Sequence, residues 1–130
     1  HMRRIQLADL FIDTLPYNAH STASDALSVG LPVLTCIGKS FASRVSASLL
    51  NGVNLPELIT KTKDQYVATA IELATHPEKF KIIKNKLSNN LTEGTLFDTS
   101  LFTKNLEKAY FVMHERSQKG LSVEAIEVDN

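Results

Sequence analysis

Two short apolar runs, Leu10-Phe11-Ile12 and Pro32-Val33-Leu34-Thr35, enclose a stretch in which Ala23, Ala26 and Leu27 recur at helical spacing. Unbroken apolar runs of this length suit strands covered on both faces, since a strand with one wet face would alternate apolar and polar residues. Strand, helix and strand in so little chain read as a βαβ unit with parallel strands, whose crossover is right-handed in about 98% of cases. Gly30 and Pro32 end the helix just past Val29. Glycine takes the left-handed cap conformation, and proline lacks the N–H that another turn would use. The pattern predicts an α/β fold: a Rossmann-like parallel sheet with flanking helices.

Beyond the second run, Phe41, Ala42, Val45 and Leu49 make another helical pattern, with Ser40 as its N-cap and Arg44 in its first turn. Leu58-Ile59, inside a turn region from Asn51 to Thr62, suits either an edge strand or a helical turn. From Lys63 the spacing is helical, which makes the C-terminal half helical. Tyr66, Val67, Ala70, Ile71 and Ala74 form one stripe, His76-Pro77 breaks it, and Phe80, Ile83, Lys84 and Leu87 form the next. The lysines at 79, 81, 84 and 86 read as a solvated face, and Asn89-Asn90 with Gly94 as a loop. Asp98 caps a last helix with the apolar stripe Phe102, Leu106, Ala109, Tyr110 and Met113.

Of 130 residues, 43% are hydrophobic, enough for one real core. Lys+Arg and Asp+Glu both number 14, so no charge excess draws the chain to nucleic acid or to an anionic membrane. No apolar run approaches the ~20 residues needed to cross a bilayer. The single cysteine, Cys36, has no internal disulfide partner; it fits a reducing compartment, the cytoplasm, and a small buried side chain. The expected organisation is one lobe over 3–120, a cloning remnant at His1-Met2 and a flexible acidic tail over 121–130.

Between the first strand and its helix lies Asn18-Ala19-His20-Ser21-Thr22-Ala23-Ser24-Asp25. A helix starting here offers unpaired N–H groups and its positive dipole end, which attract an anion such as a phosphate. Asp25 then stands one turn deeper on the face of Ser21 and Thr22, where a carboxylate accepts from ribose hydroxyls. Thr22-x-x-Asp25 equally fits a capping box, in which both side chains satisfy the helix's own backbone and bind nothing. His20 equally suits a loop histidine bonded to backbone. Asp13, at the carboxyl end of the first strand, either faces a ligand crevice or ties down the following loop. Arg44 either reaches that crevice or is solvated. Gly38-Lys39-Ser40 is not a phosphate loop, because that motif requires glycine where Val33 stands.

Taken together, Gln6-Leu7-Ala8-Asp9, Asp13-Thr14, the segment Asn18 to Leu27, Gly30-x-Pro32-Val33, Gly38-x-x-x-Ala42-Ser43-Arg44-Val45 and Glu57-Leu58-Ile59 resemble the end of the catalytic region of the O-linked N-acetylglucosamine transferase (SPINDLY-like) family. Coverage is nearly the whole chain. The resemblance implies part of the second lobe of a GT-B glycosyltransferase, the lobe that binds the UDP half of UDP-N-acetylglucosamine. It places His20, Ser21 and Thr22 on the diphosphate, Asp25 on the ribose, and His1 and Arg4, as a His-x-x-Arg, on the uracil. Ser21 stands for a more usual threonine and keeps the hydroxyl; Ile37 stands where many relatives have proline. It further implies transfer of N-acetylglucosamine to Ser/Thr of proteins, with no metal and no Asp-x-Asp to hold one. Catalytic groups, the first lobe and acceptor-recruiting tetratricopeptide repeats would lie upstream, leaving this chain alone inactive and open to self-association through Phe102, Leu106, Tyr110 and Met113. The competing reading is a non-catalytic nucleotide-binding or scaffold α/β module.

Overall fold

The computed structural model describes residues 1–128. Two compact units divide at Phe97 and Asp98. The first holds α1 (Met2–Ile5), β1 (Phe11–Ile12), α2 (Ser21–Ser28), β2 (Val33–Cys36), α3 (Val45–Gly52), β3 (Ile59–Thr60), α4 (Lys63–Thr75) and α5 (Pro77–Glu93). The strands form a parallel sheet in the order β1-β2-β3, with Phe11 opposite Val33, Ile12 opposite Leu34 and Thr35 opposite Ile59. β2 is the central strand, covered on both faces, and Val33, Leu34 and Thr35 are all fully buried.

α2, α3 and α4 all pack on β2. α2 turns Ala23, Ala26 and Leu27 inward, each without solvent exposure, and the two alanines let its backbone lie close to the sheet. It ends in a Schellman motif: Gly30, at φ +80, donates to Leu27 O, and Leu31 N reaches Ala26 O at 2.9 Å. Leu50, Val53, Leu55, Leu58, Ile83 and Leu87 complete the core.

Several elements differ from the sequence reading. Phe41–Ser43 is a 3-10 turn with Ser40 before it, and Ser40 makes no side-chain cap; Arg44 is exposed at the junction with α3. Phe41 lies outside the core, 75% exposed. Leu58-Ile59 is divided between a 3-10 turn over Pro56–Leu58 and the edge strand β3. On α4, Tyr66, Ala70 and Leu73 face the core, whereas Val67 and Ile71 are more than half exposed. Asn89 and Asn90 belong to α5, held in helix by Asn90 Nδ2 donating to Val53 O at 2.7 Å. The lysines at 79, 81 and 84 are exposed, as the solvated-face reading has them, with Lys79 paired to Glu72, while Lys86 is half-buried and paired to Glu57. Cys36 is only half-buried.

The second unit is built on α6 (Thr99–Gln118), capped by Asp98 accepting from Leu101 N at 2.9 Å. No residue of α6 is buried, and Phe102, Tyr110, Phe111 and Met113 are each more than half exposed. After Gly120 the chain turns back, and Arg116 bonds Ser122 O at 2.8 Å and pairs with Glu124. The last two positions of the sequence-assigned tail lie outside the described residues.

Candidate nucleotide site at the start of α2

Parallel strands send all their carboxyl ends to one edge of the sheet, and three connections leave from that edge: β1 to α2, β2 to α3 and β3 to α4. α2 begins at Ser21, with His20 as N-cap in a non-helical conformation (φ −109, ψ −92) and no side chain capping the end. Ser21 and Thr22 are exposed. Thr22 is therefore inside the first turn rather than at the cap, and the capping-box alternative does not form. Asp25 is partly exposed, and its ion pair runs to His1, Nε2 to Oδ2 at 3.6 Å. The donors of the helix start are left open, with a carboxylate one turn deeper.

The structure thus brings His20, Ser21 and Thr22 together as consecutive residues of the tip, and His1 to Asp25. Arg4 is exposed on α1, and among the described residues its side chain has no ion pair with the other five. The His20 ring is stacked on Tyr17 (centroids 4.9 Å apart, planes at 20°) and edge-on to Phe41 at 6.1 Å, with Nε2 3.4 Å from Ala42 O. A carbonyl only accepts, so that nitrogen carries the proton in this arrangement. His20 is accordingly bonded to backbone, as the loop-histidine reading has it, while standing at the N-cap of α2.

Asp13 does tie down its loop. It is 4% exposed; Oδ1 accepts from Thr14 N at 2.8 Å and Ala19 N at 2.7 Å, while Oδ2 accepts from Thr35 Oγ1 at 2.6 Å. Its carbonyl accepts from Tyr66 OH at 2.6 Å. Burial pushes the Tyr66 phenol up to about 12, with Asp13 and then Cys36 adding electrostatically. Sequence spacing placed Tyr66 in a core stripe and missed this bond; a tyrosine where phenylalanine would pack equally well is the available signal. Phe41 was missed as a neighbour of His20 because it comes from the β2–α3 connection, which only folding brings beside it; Tyr17, three positions before His20 in the same connection, was not singled out.

The β2–α3 connection lines a crevice of about 270 Å³ with Leu15, Pro16, Cys36, Lys39 and Lys63. Gly38 is needed there for close approach: its N–H donates to Ser43 O at 2.8 Å, and an added Cβ would collide with Ser43 Oγ. That is a turn constraint, in keeping with the rejected phosphate-loop motif. Among the described residues no group of three or more metal-ligating side chains occurs, and no helix is long and apolar enough to cross a membrane.

Residues 1–106 match the sequence model of glycosyl transferase family 41, a span that includes His1 and Arg4. The UDP-N-acetylglucosamine–peptide N-acetylglucosaminyltransferase of Caenorhabditis elegans is 36% identical over 126 residues, 97% of this chain and 11% of that protein. A probable transferase of the same description, SPINDLY of Hordeum vulgare, is 34% identical over 116 residues, 89% of this chain and 12% of its own. Among solved structures, a mutant O-GlcNAc transferase of Thermobaculum terrenum superposes with a TM-score of 0.77 at 32% identity, covering 84% of this chain and 21% of that one. The chain spans roughly a tenth of the length of the two curated relatives.

Proposed function

The chain belongs to glycosyl transferase family 41, and from that premise we propose that it is the UDP-binding portion of a cytoplasmic protein O-glycosyltransferase that moves N-acetylglucosamine from UDP-N-acetylglucosamine to Ser/Thr of proteins. The observation that carries this reading is the uncapped, exposed start of α2, with Ser21 and Thr22 at the tip and Asp25 one turn behind. The N–H groups and hydroxyls of the tip hold the diphosphate, and Asp25 accepts from the ribose. Arg4 holds the uracil. In an inverting transfer, negative charge builds on the leaving diphosphate, and preorganised donors aimed at it stabilise the transition state. This chain supplies that clamp without a metal. The first lobe, which holds the acceptor protein and the base that activates its hydroxyl, and the tetratricopeptide repeats belong to the rest of the enzyme, so the chain by itself transfers nothing.

Calorimetric titration of UDP into the full-length protein tests this, comparing wild type with Thr22→Val. Valine keeps the branched shape and removes the hydroxyl. A loss of affinity of about tenfold is expected for a hydrogen bond to a charged group. Equal affinity in the two proteins would remove the tip from the binding site.

A further inference from the structure

Ala19, the residue just before the helix tip, is held at both ends of its backbone. Its N–H donates to Asp13 Oδ1 at 2.7 Å, and its carbonyl accepts from Ser46 Oγ at 2.8 Å. Asp13 is at the end of β1 and Ser46 is in α3, and both are nearly or fully buried. Asp13 is itself fixed from three further directions: its N–H donates to Leu34 O, Oδ2 accepts from Thr35 and its carbonyl accepts from Tyr66 on α4. The next residue back, Asn18, donates from its backbone to Ala42 O at 3.0 Å and from Nδ2 to Thr14 O at 3.0 Å. His20 then turns through a non-helical conformation into α2. Since no side chain caps α2, the direction of its first N–H groups is set by how the Ala19–His20 peptide is held.

We propose that Asp13 and Ser46 are positioning residues for the donor site: by clamping Ala19 they aim the α2 N–H groups at the diphosphate. The inference rests on the reading of the α2 tip as a diphosphate site and adds what orients it. Neither side chain touches the nucleotide. Their effect comes through alignment, and displacements near 1 Å at a reacting centre cost about 100-fold in rate. Because diphosphate charge grows toward the transition state, misaimed donors lower turnover more than they weaken the bound substrate. UDP carries that charge in full, so its affinity follows kcat rather than KM.

The test uses the full-length protein with Ser46→Ala, Asp13→Ala and Asp13→Asn, and with Leu87→Ala as a destabilised control in the core far along the chain from the clamp. UDP affinity is measured by calorimetry, kcat and KM with UDP-N-acetylglucosamine, and Tm by melting. Ser46→Ala is expected to weaken UDP and lower kcat by about tenfold, with KM within about threefold. Asp13→Asn, which keeps an oxygen able to accept from Ala19, is expected to recover most of what Asp13→Ala loses. Leu87→Ala, at an equal or larger fall in Tm, is expected to leave kcat and UDP affinity at wild type. If Asp13→Ala does not fold, Ser46→Ala against Leu87→Ala still decides the matter. Wild-type values in Ser46→Ala, or the same losses in Leu87→Ala at matched Tm, overturn the positioning role while leaving the diphosphate site standing. A wild-type protein that binds no UDP overturns both.

Discussion

Replacing Asp25 with alanine separates ligand binding from helix capping, the two roles its spacing from Thr22 allows. In the structure Asp25 caps nothing. Its ion pair is with His1 at 3.6 Å, with side chains 42% and 53% exposed, and pairs of that kind contribute about 0–1 kcal/mol. Alanine recovers up to about 0.7 kcal/mol of helix propensity relative to residues such as aspartate, so the change in folding stability should stay within about 0.5 kcal/mol. Binding is affected far more. A carboxylate accepting from ribose hydroxyls is worth about 1.5–3 kcal/mol, which is roughly 10- to 150-fold in Kd at about 1.4 kcal/mol per decade. The loss is confined to ligands that carry a ribose: UDP should weaken, while inorganic pyrophosphate, which reaches only the helix tip, should bind as before. Calorimetry with both ligands and a thermal melt make the comparison. Equal losses for UDP and pyrophosphate, unchanged UDP binding, or destabilisation beyond about 2 kcal/mol, the scale of a lost helix cap, would refute the ribose role.

Gly30→Ala, at φ +80 with open space around it, should cost about 1–2 kcal/mol from backbone conformation alone, read as a lower denaturant midpoint with an unchanged slope. Leu87→Ala removes a fully buried side chain and should cost about 2–5 kcal/mol in the same experiment. Tyr66 is held protonated in the folded chain, up to about 12 against about 10 in the unfolded one. Its contribution is therefore complete below about pH 10 and lost as pH rises toward about 12. Melts across that window should fall more steeply for wild type than for Tyr66→Phe, and parallel curves would deny the linkage.

The βαβ unit was legible because its signals are local and agree: apolar runs for a strand buried on both faces, small residues on the inner face of α2, and glycine with proline where the helix stops. The course of α4 was less so, because Tyr66-Ala70 and Val67-Ile71 are both helically spaced and only tertiary packing selects the first pair. Asn89-Asn90 reads as a break from propensity alone; a bond to Val53, thirty-seven positions away, keeps it helical. Besides the Asp98 cap, a threonine cap does form, at Thr62, whose Oγ1 accepts from Gln65 N, rather than at Thr22. The spacing of hydroxyl and acid or amide is the same in both places, and what differs is which residue starts the helix. At the site, the residues of the tip were legible as a contiguous string. The clamp that aims them was not, since Asp13, Thr35, Ser46 and Tyr66 converge from four separate elements and no periodicity links them.

An amide-resolved NMR titration of UDP into the protein tests the central claim most directly. The account predicts that the backbone amides of Ser21, Thr22 and Ala23 shift together and saturate with a single affinity, with Asp25 following. Those amides staying in place at millimolar UDP, or shifts confined to another part of the chain, would contradict it.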